Sequence, residues 1–466
     1  MQVPLPKIPT IILAAVAIPE NLCAGDLFEY LWEIVSGFLS RNVKISSYSA
    51  DGSNVERSAQ KLLEGRATST ITVTIKHPYN GPGATDFSIK LPFFGTQPIA
   101  TIQDPKRLLK TFRNNLFSGA RLLTFPNHVA TFSQVHEISA ASNSPIYIRD
   151  VEKADRQDDN AATRLFSGAT LEWLSTNRPE SLGLIIYLFI SGELIDAYQN
   201  RFLTLTARVQ LVLRAHFFFE LWEKFLEVSK YPKARHYISP QCADITRMLI
   251  HGFLQVVIIY RDYSGGPRPL LPWLLSTEVV EHVFGLCRQI VKDFTLLNFH
   301  EMVPKLFNQL RQATLSSKFS DGKATASGYN HTYTDTRGID IPALSTYPSN
   351  ADINDAAVRA YGEAESLFAL LGVTASDLYY ESNAPARLPG IRTWFHEDIN
   401  TLFSGEEGSD LDDDLHSVLG SDTEDYQHAL DLLEDADDDL PTTQERRLMD
   451  YWYASIALSI EERTQM

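Results

Sequence analysis

NVKISSYSADGSNVE, residues Asn42–Glu56, decides the fold class of this chain. Its first nine residues predict a β-strand, which ends at Asp51, where the following Gly-Ser-Asn indicates a tight turn. Upstream, apolar residues at helical spacing predict a helix over Asp26–Ser40, and the short β-branched run Ile8–Ile18 predicts a buried strand. A strand, a crossover helix and a second strand indicate an α/β sheet, which carries functional groups at the carboxyl ends of its strands.

Asp51 is the first candidate site residue. A sheet fixes the position of a carboxylate at the end of a strand, and carboxylate oxygens are the ligands that Mg²⁺ prefers. The alternative is that Asp51 and Gly52 form nothing more than a turn. We therefore expect Asp51 either to bind a metal ion or to serve the turn alone.

A second candidate segment is DPKRLLKTFRNNL, Asp104–Leu116, the densest basic stretch of the folded body. Such a cluster indicates a helix that binds anions or contacts phosphate, although a solvated helical face gives the same pattern. Asp104 itself can be the N-cap of this helix, with Pro105 in the first turn. The basic residues of the cluster are Lys106, Arg107, Lys110 and Arg113.

Two glutamates begin the third candidate segment, STEVVEHVFG at 276–285. Glu278 and Glu281 are three residues apart, so on a helix they share one face, and the opposite face is apolar. The alternative is a purely structural helix start. In that case Ser276 or Thr277 caps the helix, and the acids lie near the positive end of its dipole.

The charge of the chain is concentrated near its C-terminus. The formal net charge is −17, and the stretch 405–440 holds 15 acidic residues and no Lys or Arg, so the rest of the chain carries only −2. Such a stretch predicts a disordered acidic tail. The chain is expected to divide into an α/β core at 1–155, a helical insertion at 156–272, a closing helical part of the core at 273–315, an irregular segment with short helices near Asn354–Leu371 at 316–404, the acidic tail at 405–440 and a helix at 441–466.

Several protein classes are disfavoured by what the sequence lacks. The three cysteines have no CxxC spacing, which indicates reduced thiols in an intracellular protein. Glycine-rich phosphate loops, the G-x-S-x-G pattern and paired-histidine zinc motifs are absent, which weakens the hydrolase, NTPase and dehydrogenase hypotheses. No run reaches the roughly 20 apolar residues of a membrane span. The prolines before Ile8 favour a buried strand over a signal peptide.

The order of these segments resembles the ribonuclease H-like catalytic region of P-element-type transposases. SADGSNVE at 49–56 is similar to the family's strand end, and DPKRLLKTFRNNL at 104–116 is similar to its D-P-x-H-L-x-K-x-x-R-N helix start. STEVVEHVFGLCRQ at 276–289 is similar to its closing E-x-x-F/V-F-G/S-x-x-R helix. The resemblance covers residues 8–310 and depends mainly on the second and third motifs occurring in this order. It implies an incomplete ribonuclease H-like core with a large all-α insertion.

The resemblance also implies DNA cleavage and strand transfer with two Mg²⁺ ions held between carboxylates. Asp51 matches the family's second catalytic aspartate and Glu281 its catalytic glutamate, so both are implied to be catalytic and metal-binding. Glu278 matches an acidic position beside the nucleotide in members that use guanine nucleotides, which implies GTP as a further cofactor. Contacts with DNA phosphate are expected from three basic residues: Lys106, Lys110 and Arg113.

Three departures from the family imply an impaired enzyme. The family's first catalytic aspartate lies two strands before the strand predicted at Ile8–Ile18, and only seven residues precede that strand. One carboxylate is then missing, and the expected Mg²⁺ site is incomplete. Arg107 also stands where the family has His, and three scattered cysteines cannot form the family's zinc-containing DNA-binding module. We therefore expect a transposase-derived, DNA-binding protein with weakened activity, nuclear or cytoplasmic and not secreted, with a homo-oligomer as a further possibility.

A non-enzymatic function is the main alternative. A nearly neutral, helix-rich body with an acidic tail is also typical of a nuclear scaffold or regulatory protein whose tail binds basic partners. A guanine-nucleotide-binding remnant is a third hypothesis, and it depends only on the resemblance. None of the three includes a membrane-spanning segment.

Overall fold

Two short parallel strands position the candidate site. The computed structural model describes residues 1, 10–19, 22–81, 83–151, 155–315 and 338–379. Strand Ser47–Ala50 pairs in parallel with strand Ala100–Gln103. Because the strands are parallel, the residues that follow them lie at the same edge of the pair.

The strands, in chain order, are β1 (Ser47–Ala50), β2 (Ser69–Ile75), β3 (Phe87–Phe94), β4 (Gln97–Pro98), β5 (Ala100–Gln103), β6 (Leu123–Phe125) and β7 (His128–Ala130). The helices are α1 (Ala24–Ser40), α2 (Asn54–Gly65), α3 (Pro105–Phe117), α4 (Phe132–Ala140), α5 (Asp159–Leu165), α6 (Gly168–Asn177), α7 (Leu182–Gln199), α8 (Leu205–Ser229), α9 (Lys233–His236), α10 (Pro240–Tyr263), α11 (Glu278–Ile290), α12 (Leu296–Leu315), α13 (Ile341–Leu344), α14 (Asn350–Leu370) and α15 (Ala375–Leu378).

In the described part of the chain the strands form three small sheets. β1 pairs with β5, β2 to β4 form an antiparallel sheet, and β6 pairs with β7 as a hairpin. The prediction of a mixed α/β fold is therefore confirmed, with helices contributing most of the regular structure. The ribonuclease H-like arrangement of the core stays a prediction.

The strand predicted at Ile8–Ile18 is wrong over its described part. Residues 10–19 form no strand, and Leu13 and Ile18 are 45% and 65% exposed. The segment pairs with no described strand, so its apolar residues have no sheet in which to be buried. Only Ile12 and Ala15 pack against an apolar cluster, which α11 and α12 form.

The helix predicted over Asp26–Ser40 is confirmed as α1. Phe28, Leu31 and Val35 lie on its buried side, at the spacing that places them on one face. They form a small apolar cluster with residues of α2 and with Phe94 of β3. The first helix is thereby attached to α2 and to the end of β3.

The longest helices form the main core, and the strands pack against them. α8 packs along α7 and α14, and α10 lies across β5. Gly252 of α10 permits this close approach, because a Cβ there would lie 2.6 Å from the carbonyl oxygen of Thr101. One continuous cluster of buried apolar side chains joins these helices to β2, β3 and α3. The same cluster includes Ala100 and Ile102 of β5, so the helical region shares its core with one of the two strands that carry the site.

Helices were predicted near Asn354–Leu371, and within residues 338–379 the structure has a helix there that is longer than expected. This stretch contains α14, a single helix of 21 residues that packs on α8. Ser349 caps it in a capping box with Asp352, and Ala at positions 356, 360 and 364 allows close packing. Residues 316–337 and 380–404, the predicted acidic tail at 405–440 and the predicted helix at 441–466 lie outside the described residues.

Two helices are long and apolar enough to cross a membrane, by length and composition alone. They are α7 and α10, of 18 and 24 residues, and both contain charged side chains within their length. In each, the most apolar window is largely buried inside the protein, at 67% and 72% respectively. Core helices of this length have the same composition, so the composition of α7 and α10 is accounted for by their burial.

Candidate metal centre

Asp51 and Asp104 lie side by side because each is the residue that follows one strand of the parallel pair. β1 ends at Ala50 and β5 ends at Gln103, and these two residues are opposite each other. The Asp104 amide donates a hydrogen bond of 2.8 Å to the Ala50 carbonyl, so the pairing continues one residue beyond β5. The two aspartates therefore occupy adjacent positions at one edge of the pair.

Glu281 completes a cluster of three carboxylates. It lies in the first turn of α11, a helix that the sequence predicts. The Thr277 hydroxyl, just before this helix, donates a hydrogen bond of 2.9 Å to Oδ2 of Asp104 and holds the start of α11 against the end of β5. One oxygen from each of Asp51, Asp104 and Glu281 lies within 4.8 Å of the other two. Three carboxylates at this spacing can hold a metal ion.

Asp104 is the most deeply buried member of this acidic triad, with 2% of its surface exposed. Burial raises the pKa of its carboxyl to about 7, and the charges of Glu281 and Asp51 act in the same direction. Hydrogen bonds from the Thr277 hydroxyl and the Lys106 amide act against this rise in pKa. Near neutral pH the metal-free carboxyl therefore carries a proton part of the time, and a bound cation would favour its ionised form.

Charges around Glu281 act on it in both directions. The residue is exposed overall, yet partial desolvation of its carboxyl is the largest influence and raises its pKa. The carboxylates of Asp159 and Asp51 raise the pKa further, whereas the ammonium groups of Lys110 and Lys106 lower it. The triad is therefore surrounded by both acidic and basic side chains.

The turn after Asp51 is tightly fixed. Gly52 has a φ of +98°, and a Cβ at this position would lie 2.9 Å from Oε1 of Gln103. The Arg57 guanidinium donates a hydrogen bond of 2.6 Å to the Gly52 carbonyl, and the Gly52 amide donates one of 3.1 Å to Glu56. Asp51 is therefore followed by a turn, as the structural alternative predicts, and the same turn positions its carboxylate beside Asp104.

Lys106 and Lys110 lie next to the triad but are 5% and 8% exposed. The Lys106 ammonium is 3.1 Å from Oε2 of Glu278, and the Lys110 ammonium is 3.0 Å from Oδ1 of Asp159. Both cations are paired with carboxylates inside the site, so they do not form the solvated helical face of the alternative reading. Their contact with phosphate and the nucleotide role of Glu278 stay predictions.

The expected contact between Arg113 and DNA phosphate does not hold. Arg113 is 1% exposed, and its guanidinium donates hydrogen bonds of 2.7 and 2.8 Å to the carbonyls of Asp150 and Asp155. It also lies over the ring of Phe117, 4.9 Å from the centroid. Its donors hold the chain that follows α4, which makes Arg113 a structural residue.

Asp104 is the site residue that the sequence analysis missed. It is the N-cap of α3, as predicted, because Oδ1 accepts a hydrogen bond of 3.2 Å from the Lys106 amide and Pro105 begins the helix. The structure also makes it a member of the triad, so the expectation of only two carboxylates is wrong. The sequence carried a signal for it, because Asp104, like Asp51, is an aspartate directly after a strand-like run.

The donor set of the triad consists of oxygen atoms only. Oxygen donors suit hard divalent cations such as Mg²⁺ and Mn²⁺, whereas a zinc site usually includes nitrogen or sulfur. The residues present therefore fit the Mg²⁺ that the sequence predicts. No protein-family model, curated protein or solved structure matches the chain. The function of the site must follow from its own residues.

Proposed function

We propose that the chain binds divalent metal ions through Asp51, Asp104 and Glu281 and that it cleaves or transfers phosphodiester bonds of DNA. The proposal depends on one observation, the convergence of three carboxylates at the ends of two adjacent parallel strands. Mg²⁺ held by such oxygens neutralises charge on a phosphodiester during phosphoryl transfer. DNA as the substrate and a nuclear location are supported by the transposase resemblance of the three motifs.

The protein's own residues prepare the site for this chemistry. The β1–β5 pairing fixes two carboxylates, and the Thr277 hydroxyl holds Asp104 toward the third. A cation held by the triad would favour the ionised form of Asp104, because a nearby positive charge lowers the pKa that burial has raised. Lys106 and Lys110 offset part of the negative charge that a DNA strand would bring to the triad.

A plasmid-nicking assay tests this proposal. The wild-type protein is expected to nick supercoiled DNA in Mg²⁺ or Mn²⁺ and not in chelator, and Glu281→Gln and Asp104→Asn are expected to abolish nicking. Glu137→Gln serves as the matched control, since Glu137 is an exposed glutamate of α4 whose carboxylate pairs with Arg178 at 3.6 Å. Nicking that survives in the Glu281 and Asp104 variants would refute the proposal, and so would wild-type protein that binds no Mn²⁺.

A further inference from the structure

A narrow cleft of about 60 Å³ lies beside the acidic triad. One face of α3 forms its main wall, because Arg107, Lys110 and Asn114 are spaced three and four residues apart. Arg156 and Gln241 line it from two other segments. Arg107 is half-buried and Lys110 is buried, so the cations at the base of the cleft are not part of an open solvated face.

The chemistry of this cleft suits an anion. The described residues that line it include three cations, of which Lys110 is already paired with Asp159 at 3.0 Å, and the remaining groups are amides and hydroxyls that can donate hydrogen bonds. The contact between Arg107 and the side-chain oxygen of Gln157, at 3.4 Å, is exposed and long, so this hydrogen bond is weak. Guanidinium groups bind phosphate with two parallel hydrogen bonds, which makes Arg107 and Arg156 the principal donors.

The size of the cleft decides which anion it admits. Pockets that enclose whole drug-sized ligands have volumes of roughly 300–1,000 Å³. A volume of about 60 Å³ holds several water molecules and is too small for a nucleobase and its sugar. The cleft therefore admits a single phosphate group, whose nucleoside parts remain outside.

The cleft adjoins the triad through two side chains. Cγ of Arg107 would lie 3.4 Å from a Cβ built on Gly52, the neighbour of Asp51. Lys110 lines the cleft and also lowers the pKa of Glu281. A phosphate in the cleft is therefore close enough to the triad to belong to the same nucleic-acid strand as a phosphodiester at the metal centre.

We propose that this cleft binds a backbone phosphate of the DNA strand that is cleaved, next to the reacting phosphodiester, with Arg107 and Arg156 as its donors. The inference rests on the proposed function, since it assigns a substrate subsite to the same centre. Arg107 stands where the transposase family that the sequence resembles has His. The proposal gives Arg107 a role in positioning the substrate.

Binding of a fluorescein-labelled single-stranded oligonucleotide in chelator tests the subsite separately from the metal centre. Arg107→Gln and Arg156→Gln are each expected to weaken binding on the order of tenfold, and each should reduce the slope of log affinity against log salt by about 0.7. Arg178→Gln is the matched control and should bind as the wild type does. Arg178 is an exposed arginine at the C-terminal end of α6, where it pairs with Glu137 and Glu180.

Two further measurements separate the possible failures. Arg107→Lys keeps the charge and is expected to recover part of the affinity, and both glutamine variants should bind Mn²⁺ as tightly as the wild type. Asp104→Asn is expected to lose Mn²⁺ binding and to keep oligonucleotide binding in chelator. If Asp104→Asn binds Mn²⁺ as tightly as the wild type, the metal centre alone is refuted. If both glutamine variants bind the oligonucleotide as the wild type does, the subsite is overturned.

Competition identifies the source of the phosphate. Inorganic phosphate and GTP are expected to displace the oligonucleotide only weakly and equally, because the cleft holds one phosphate and no base. Displacement by GTP at concentrations at which inorganic phosphate has no effect would overturn the assignment in favour of a nucleotide site.

Discussion

Replacing Asp104 with asparagine is expected to stabilise the metal-free protein at high pH. Burial raises the pKa of this carboxyl from 3.8 to about 7. Between these values the folded protein keeps a proton that the unfolded chain has released, so the stability of the wild type falls as the pH rises through this window. At 1.36 kcal/mol per pH unit, the loss reaches about 4 kcal/mol above pH 7.

Asparagine removes this loss and can still accept one of the two hydrogen bonds that the Asp104 carboxylate accepts. It caps a helix about as well as aspartate, so the hydrogen bond from the Lys106 amide can be retained. In urea titrations with chelator, the unfolding free energy of Asp104→Asn should exceed that of the wild type by up to about 4 kcal/mol near pH 8 and by much less near pH 4. Asp340→Asn is the control, because Asp340 caps α13 from an exposed position and should respond little at either pH.

Added Mg²⁺ should change the relative stability of the wild type and Asp104→Asn near pH 8. A ligand that binds only the folded state stabilises it by about 2.7 kcal/mol at a hundredfold excess over its dissociation constant. The wild type should gain this stability, and Asp104→Asn should gain none. Equal stability of the two proteins in chelator at both pH values would refute the effect of burial, and a Mg²⁺-dependent gain in Asp104→Asn would refute its role as a ligand.

Three further substitutions test the surroundings of the triad. Gly52→Ala should lower the unfolding free energy by about 1–3 kcal/mol in urea titrations, because φ is +98° there. Gly65→Ala, on the open surface of α2, should raise it by roughly 0.5–1 kcal/mol in the same titration. Arg113→Met leaves two carbonyls without their donor and should destabilise by roughly 2–6 kcal/mol in the same titration, with Mn²⁺ affinity unchanged by electron paramagnetic resonance. Thr277→Val should weaken Mn²⁺ binding several-fold, measured in the same way, and Thr277→Ser should restore it, because serine keeps the hydroxyl through which Thr277 contacts Asp104.

The sequence predicted those features of the site that depend on local pattern. Helix α3 begins at Pro105 with Asp104 as its cap, and α11 begins at Glu278, because caps and apolar spacing are properties of adjacent residues. Asp51 was recognised by the strand-like run before it. Its place in an acidic cluster agrees with the metal-binding interpretation of Asp51 and Glu281.

The remaining features depend on pairings between distant segments. Asp104 joins the triad because Ala50 is opposite Gln103, and neither periodicity nor motif spacing specifies that register. Arg113 resembles its basic neighbours in sequence, but helix α3 turns it toward the carbonyls of Asp150 and Asp155. The strand predicted before residue 19 failed for the same reason, since a strand needs a partner that its own sequence does not supply.

The burial of Asp104 fits the metal binding that we propose, because capping a helix does not require it. Asp340 caps α13 while exposed, so a carboxylate can cap a helix without entering the interior or approaching other acids. Asp104 instead lies 2% exposed beside Asp51 and Glu281, where metal-free ionisation is unfavourable by about 4 kcal/mol, a sizeable part of the 5–15 kcal/mol that stabilises a typical domain. A divalent cation between the three carboxylates would reverse that penalty, since the same crowding of negative charge that raises the pKa strengthens the binding of Mg²⁺.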